Sequence, residues 1–139
     1  MKIIVATSTE FYAEDLVDPR FYVFARLGSG ILRFEIVALL QTGERGTVRG
    51  KELFRAMMAH FSARVRIIQA NWTKASGKTT NLDQVNAATA AGLTVEGAAP
   101  LTWTGLRASE VGYDKVTVSH ALPRRAKGNY NDIRVEFSR

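Results

Sequence analysis

Apolar and polar residues alternate in several segments of the chain, which is the pattern of half-buried β-strands. Residues 21–27 and 31–39 are two such segments, and Gly28-Ser29-Gly30 joins them. Because a short glycine-containing connection suits a tight turn, these segments predict a β-hairpin. The acidic segment at residues 10–19 is predicted to be a loop or a short helical turn. Four more strands are predicted, at residues 2–7, 65–72, 116–119 and 132–137.

Spacings of three and four between apolar residues predict helices elsewhere in the chain. The clearest pattern covers residues 51–62, and its apolar residues are Leu53, Phe54, Met57, Met58 and Phe61. A second helix is predicted from Thr80 to Ala91, with Thr80 and Asp83 as a capping box and Gly92 as its end. Its predicted inward side chains are Leu82, Val85 and Ala88. Short helices are predicted at residues 95–98 and, begun by Thr104, at residues 105–111.

This order of elements predicts one α+β domain that spans residues 1–139. Strands and helices do not alternate as a doubly wound parallel sheet requires. We therefore expect an antiparallel or mixed sheet of about five to six strands, with three to four helices packed on one face.

Charge adds a candidate class of partner to this picture. Nineteen Lys and Arg residues against thirteen Asp and Glu residues give a net charge of +6. Residues 1–41 hold four bases and five acids, a sum of −1, whereas residues 42–139 hold fifteen bases and eight acids, a sum of +7. This imbalance favours a nucleic acid, an anionic surface or an acidic protein as partner, and a solvated basic surface without a partner is the alternative.

Several function classes lack the residues that they need. There is no cysteine for a disulfide, a thiolate metal site or a cysteine nucleophile, and neither a phosphate-cradling glycine motif nor a serine nucleophile elbow occurs. His60 and His120 are the only imidazoles, and no cluster of ligands accompanies them, so we expect neither a metal nor another cofactor. No apolar run is long enough for a bilayer span or a signal peptide. We therefore expect no membrane partner and a cytoplasmic location, in the producing cell or a target cell.

Phosphodiester cleavage requires less: a base that titrates near neutral pH, an acid and a cation that stabilises the phosphate. His120 ends a predicted strand just before residues 123–129, which we name the basic loop because it contains Arg124, Arg125 and Lys127. His120 is therefore the first candidate for a catalytic acid or base, and a strand-end histidine without a role is the alternative. His60 is a second candidate, although the dipole of the predicted helix can favour an imidazolium there for structural reasons.

Aromatic residues beside bases are a further nucleic-acid feature, because exposed rings stack on unpaired bases. Tyr130 follows Lys127, and Trp72 precedes Lys74, although a tryptophan at that position can equally belong to the core. Arg64 and Arg66 are predicted to share one face of a strand, as a binding surface or a solvated one. The predicted nucleic-acid-binding residues are Arg124, Arg125, Lys127, Tyr130, Arg64, Arg66 and Trp72.

The second half of the chain carries a spaced pattern of residues: Asn71-Trp72, Asn81-Leu82 with Asn86, Ala98-Ala99, Thr102-Trp103-Thr104-Gly105 with Ala108 and Gly112, Gly128-Asn129-Tyr130 and Val135-Glu136-Phe137. Over residues 50–139 this pattern resembles the C-terminal modules of bacterial polymorphic toxins, the variable tips of Rhs-type and filamentous-haemagglutinin-type proteins. The resemblance implies an effector used against competing cells, often a nuclease, that a cognate immunity protein neutralises. It assigns no catalytic residue.

Two functions follow as expectations. The first is an effector domain that binds nucleic acid, RNA in preference to DNA. One version of this hypothesis is an RNase that acts by acid–base catalysis. A second expected partner is an acidic immunity protein. The alternative is a non-catalytic binding or structural module, such as a phage or secretion-system component that recognises an acidic protein.

Overall fold

A computed structural model describes residues 1–139, and its seven strands and four helices confirm the α+β class. The chain divides into two compact units, Met1–Arg66 (unit 1) and Ile67–Arg139 (unit 2), and each is described by itself. The single domain expected over residues 1–139 stays a prediction. None of the helices has the length and apolar composition needed to cross a membrane.

Unit 1 is an antiparallel sheet of four strands followed by one helix. Its elements are β1 (Lys2–Ala6), β2 (Glu10–Glu14), β3 (Tyr22–Gly28), β4 (Ile31–Val37) and α1 (Gly50–Phe61). Each strand pairs with the next one along the chain. The predicted hairpin is confirmed as β3 and β4, and its Ser29 and Gly30 have φ values of 51° and 76°, the sign that a tight two-residue hairpin turn requires.

Strand β2 replaces the predicted loop or helical turn at residues 10–19. Its burial alternates, with Phe11 and Ala13 buried and Tyr12 and Glu14 half-buried. The strand is only five residues long and has an acid at each end, so its alternation is short and its composition resembles that of a loop. It brings the strand count to seven, slightly above the five to six expected.

Helix α1 covers one face of this sheet and contacts β2, β3 and β4. The helix was correctly predicted, and all five apolar residues of its pattern are buried. The strands contribute Phe11, Ala13, Val23, Ala25 and Leu32 to the same core. Phe34 of β4 adds an edge-on ring contact to Phe54, with centroids 5.7 Å apart.

A buried carboxylate fixes the segment that leads into α1. Asp15 is 3% exposed, and its Oδ1 accepts hydrogen bonds from the Thr47 hydroxyl at 2.7 Å and from the backbone N–H of Val48 at 2.6 Å. Its Oδ2 accepts from the backbone N–H groups of Val17 and Asp18. Burial alone would raise the pKa of Asp15, but these four hydrogen bonds outweigh it and hold the pKa well below its usual value.

Unit 2 is a three-stranded antiparallel sheet with three helices. Its elements are β5 (Ile67–Thr73), α2 (Thr80–Ala90), α3 (Val95–Ala98), α4 (Trp103–Glu110), β6 (Lys115–Leu122) and β7 (Asp132–Ser138). Strand β7 lies between β5 and β6 and pairs with both. Helix α2 contacts β5, α3 contacts β6, and α4 packs on α2.

The ends of the unit 2 elements differ from their predictions in three places. Strand β5 begins at Ile67 and not at residue 65, and residues 62–64 before it form a 3-10 turn. Helix α2 has Thr79 at its N-cap, and the Thr79 hydroxyl donates to the Asp83 carboxylate, so the capping box predicted at Thr80 is wrong. Helix α4 begins earlier than predicted, because the Thr102 hydroxyl caps it by accepting from the backbone N–H of Gly105.

The Asp15 hydrogen bonds predict a pH-dependent stability. The folded pKa of Asp15 is lower than the ordinary value of 3.8 that applies to the unfolded chain. Its carboxylate therefore stabilises the fold above that value, and the stabilisation is lost as the pH falls through and below it. We expect Asp15→Asn to lower the midpoint of thermal unfolding at neutral pH, and the difference from wild type to narrow between about pH 5 and about pH 2.

Asp114→Asn is the control, because Asp114 is exposed. A difference between Asp15→Asn and wild type that stays constant over the whole pH range would contradict this prediction.

Candidate functional site

Strand β7 separates its core residues from its polar residues. Ile133, Val135 and Phe137 are buried, whereas Asp132, Arg134 and Glu136 alternate with them and point to the opposite face. Partners across the ladder share that face, and the helices of unit 2 pack on the other one. We call this surface the open face. Its side chains are those of Gln69, Asn71, Thr73, Thr117, His120, Leu122, Asp132, Arg134 and Glu136.

A β-bulge places His120 on the open face. Val118 pairs with the core residue Val135, but the register then shifts, and His120 pairs with Arg134. In a regular ladder of the same sequence, Ser119 would pair with Arg134, and His120 would pair with Ile133 on the core side. The bulge at Ser119 therefore converts an inward position into a position on the polar face.

His120 forms a hydrogen-bonded pair with Asp132. The His120 Nε2 lies 2.9 Å from the Asp132 Oδ1, and the two side chains are 31% and 40% exposed. An ionised carboxylate only accepts hydrogen bonds, so Nε2 carries the proton. In the neutral ring, Nδ1 is then the unprotonated nitrogen and can accept a proton. This tautomer and orientation suit a general base.

Arg134 puts a cation beside this pair. Its Cα is the direct partner of His120 on one side and of Asn71 on the other. The side chain is exposed, and it forms neither a hydrogen bond nor an ion pair within the chain. A guanidinium with all its donors available is suited to bind a phosphate by two parallel hydrogen bonds.

The basic loop follows β6, and α2 holds its end in place. The Thr89 hydroxyl accepts from the backbone N–H of Gly128 at 3.0 Å. Asn86 makes two hydrogen bonds to the backbone of Tyr130: its Oδ1 accepts from the N–H at 2.7 Å, and its Nδ2 donates to the carbonyl at 3.0 Å. The loop is therefore anchored although it lies at the surface.

The three predicted phosphate-binding cations of this loop are exposed: Arg124, Arg125 and Lys127. None of them pairs with a carboxylate of the chain. Tyr130 is half-buried, and its hydroxyl has no hydrogen-bond partner. His120 and these residues all belong to unit 2. They lie at the end of β6 or in the connection between β6 and β7.

His60 lies in unit 1, where its contacts are those of a structural histidine. Its Nε2 lies 2.6 Å from the backbone carbonyl oxygen of Thr7, so that nitrogen carries a proton and donates it. The ring stacks on Phe11 with centroids 5.1 Å apart and meets Phe61 edge-on at 4.8 Å. These contacts give the histidine at the last turn of α1 a structural role, and a catalytic role for His60 stays a prediction.

Arg64 and Arg66 also belong to unit 1, and their guanidinium groups bind backbone carbonyls. Arg64 donates to the carbonyls of Phe61, His60 and Ser8. Arg66 donates to the carbonyl of Ser29 in the hairpin turn at 2.6 Å. Neither residue lies in a strand, which corrects the predicted shared strand face. Three hydrogen bonds of Arg64 and one of Arg66 thus hold parts of unit 1 together.

Trp72 is a core residue, which corrects its predicted role as a stacking surface. Its side chain is 6% exposed, and its ring centroid lies 6.4 Å from that of Phe137. A ring with so little exposed surface cannot stack on a nucleotide base.

Sequence reasoning did not select Asp132, Arg134 or Asn86 as functional residues. The signal for Asp132 and Arg134 was present, because both stand at the polar positions of the alternating segment 132–137. The sequence pattern did not indicate that Asp132 and Arg134 lie close to His120, because that proximity depends on the bulge. Asn86 is linked to Tyr130 across 44 positions, a separation that no local pattern reveals.

No cluster of three or more histidine, aspartate and glutamate side chains is arranged to hold a metal ion. Comparison with known proteins finds no matching family model, no matching curated protein and no matching solved structure. The polymorphic-toxin resemblance therefore stays a prediction.

The clamp between Asn86 and Tyr130 predicts a local loss of stability. Asn86→Ala leaves the N–H and the carbonyl of Tyr130 without their partners, which we expect to lower the free energy of unfolding by about 1–3 kcal/mol. Urea denaturation measures this change, and hydrogen exchange at the Tyr130 amide should accelerate.

Asn129→Ala is the matched control, since the Asn129 side chain makes no hydrogen bond, and we expect it to change stability by less than about 0.5 kcal/mol. Equal stability of the two variants would contradict the role of the clamp.

Proposed function

We propose that the chain binds single-stranded RNA through the open face and the basic loop of unit 2 and cleaves it by acid–base catalysis. The observation that carries this proposal is the His120–Asp132 pair at 2.9 Å, with the unpaired Arg134 directly opposite His120 on the next strand. These three side chains supply the base, a group that orients it and the cation that phosphodiester cleavage needs, and water supplies the acid.

In the proposed reaction the RNA attacks its own backbone. Nδ1 of His120 takes the proton of a 2′-hydroxyl while the 2′-oxygen forms a bond to the adjacent phosphorus. The bond from phosphorus to the 5′-oxygen breaks, and that oxygen leaves with a proton from water. The products are a 2′,3′-cyclic phosphate and a 5′-hydroxyl end. DNA lacks the attacking hydroxyl, so this chemistry is confined to RNA.

Asp132 and Arg134 have different roles in this scheme. The Asp132 carboxylate holds the ring in the tautomer that leaves Nδ1 unprotonated, and it stabilises the imidazolium that forms when Nδ1 takes the proton. Arg134 stabilises the negative charge that accumulates on the phosphate oxygens in the transition state. Both groups stand on paired strands, so their positions are fixed before RNA binds.

The basic loop supplies affinity in the proposal. Its three exposed cations lie outside any ion pair, so they bind phosphates without first breaking an internal contact. An RNase of this kind inside a bacterial cell would be toxic, which agrees with the effector that the polymorphic-toxin resemblance implies. An acidic immunity protein would then bind the same cations.

A second candidate function is a non-catalytic module that binds an acidic protein. The basic loop supports it, because exposed cations without partners in the chain bind carboxylate groups as well as phosphates. If the chain ignores RNA at about 50 mM salt and a salt-sensitive complex with an acidic protein forms instead, this second function replaces the first.

Replacement of the catalytic groups predicts a loss of cleavage. We expect His120→Ala to lower the rate of single-stranded RNA cleavage by about 10²–10⁴-fold and Arg134→Ala to lower it by about 10²-fold. Lys115→Ala is the control, because Lys115 is an exposed cation at the far end of β6. The assay follows the appearance of cyclic-phosphate ends on a labelled RNA, together with growth of bacteria that express each chain.

Wild-type protein that leaves RNA intact and does not slow growth would contradict the proposed cleavage. So would a His120→Ala variant that cleaves as fast as wild type.

Removal of the loop cations predicts a change in salt dependence. The triple variant Arg124→Ala, Arg125→Ala and Lys127→Ala should bind RNA more weakly, and the slope of log affinity against log salt should become shallower by about 0.7 for each phosphate that the variant no longer neutralises. A control triple variant removes the same charge at the exposed positions Lys2, Arg45 and Arg55 of unit 1. Equal slopes for the two triple variants would show that the basic loop does not contact the RNA.

A further inference from the structure

A polar cleft lies in unit 2 between the N-terminal half of α2 and the segment that enters β7. Its volume is about 600 Å³, within the range of small-molecule sites. The polar residues that line it include Lys74, Thr79, Asp83, Asn129, Tyr130 and Asn131. The Asn86 clamp on Tyr130 fixes one wall, so the cleft exists before any ligand binds.

The side chains around the cleft offer hydrogen bonds that the protein does not use. The Lys74 ammonium, the amides of Asn129 and Asn131 and the Tyr130 hydroxyl have no partner within the chain. Asp83 accepts a single hydrogen bond, from the Thr79 hydroxyl to its Oδ2, so its Oδ1 is unoccupied. A cation, a carboxylate, two amides and an aromatic ring therefore surround one cavity.

This combination fits guanine better than the other RNA bases. Guanine alone presents two neighbouring N–H donors, at N1 and N2, and a carboxylate such as that of Asp83 accepts such a pair. Next to these donors, guanine has acceptors at O6 and N7, which an ammonium such as that of Lys74 binds. Tyr130 offers a ring for stacking. In a duplex the N1 and N2 edge is paired, so the base has to be single-stranded.

The cleft is adjacent to the catalytic pair along the chain. Asn131 belongs to the cleft, and the next residue, Asp132, is hydrogen-bonded to His120; consecutive Cα atoms are about 3.8 Å apart. Helix α2 lines the cleft from the helix side of the sheet, whereas His120 lies on the open face. A nucleotide whose base occupies the cleft would therefore reach the catalytic pair around this end of the sheet.

We propose that this cleft is a guanine-binding subsite that selects the nucleotide on the 5′ side of the cleaved bond. The link to cleavage rests on the proposed RNase function, whereas the binding of guanine does not.

Binding of the four nucleoside 3′-monophosphates to the full chain, measured by calorimetry, tests the subsite. We expect guanosine 3′-monophosphate to bind at least about tenfold more tightly than the adenosine, cytidine and uridine compounds. Asp83→Asn and Lys74→Ala should each weaken guanosine 3′-monophosphate binding about five- to tenfold. Asp114→Asn and Lys115→Ala are the matched controls, and we expect both to bind like wild type.

Equal binding of all four nucleotides, or no binding of guanosine 3′-monophosphate, would overturn the guanine subsite even if the chain cleaves RNA. Conversely, selective binding of guanosine 3′-monophosphate that is lost in both cleft variants would support the subsite even if RNA remains intact. If Asp83→Asn unfolds because it alters the start of α2, Lys74→Ala alone decides, since Lys74 is exposed and its side chain makes neither a hydrogen bond nor an ion pair within the chain.

Discussion

The two hydrogen bonds between Asn86 and the backbone of Tyr130 are the contact on which the candidate site of unit 2 depends. A side-chain amide has donors and an acceptor in the same plane, so it can pair with both polar groups of one residue as a neighbouring strand would. Here it joins the middle of α2 to the segment just before β7. The end of the basic loop, one wall of the cleft and the start of the strand that carries Asp132 are all set by this contact.

The cations of the chain differ in whether they have partners within the protein. In unit 1, Arg64 and Arg66 donate to backbone carbonyls, and Arg20 forms ion pairs with Asp18 and Glu44. In unit 2, the cations of the basic loop and Arg134 lack such partners. A net charge computed from composition treats all of these residues alike, whereas available hydrogen-bond donors separate structural cations from those that can bind a ligand.

The spacing of apolar residues correctly predicted the helices and strands whose structure depends mainly on their own local sequence. Helix α1 was predicted almost to the residue because five large apolar side chains fall on one stripe, and the β3–β4 hairpin because glycine stands where the turn needs a positive φ. Strand β2 was missed, since its short alternation lies between acids. His120 was selected for its type and its place before the basic loop, but its pairing with Asp132 needed a register that only the folded ladder defines. The sequence around Trp72 was compatible with a core position or with a stacking surface, and its burial in the structure excludes stacking.

The bulge at Ser119 has an evolutionary consequence. Because the ladder absorbs one additional residue there, the side of the sheet that the imidazole occupies depends on pairing as well as on position in the chain. A homologous chain without residue 119 would present the same histidine on the same side from a regular ladder. A homologous chain of equal length that pairs regularly would instead turn the ring toward the apolar side chains, away from Asp132 and Arg134. A one-residue gap at this point of an alignment is therefore compatible with a histidine on the open face, whereas an ungapped match does not guarantee one.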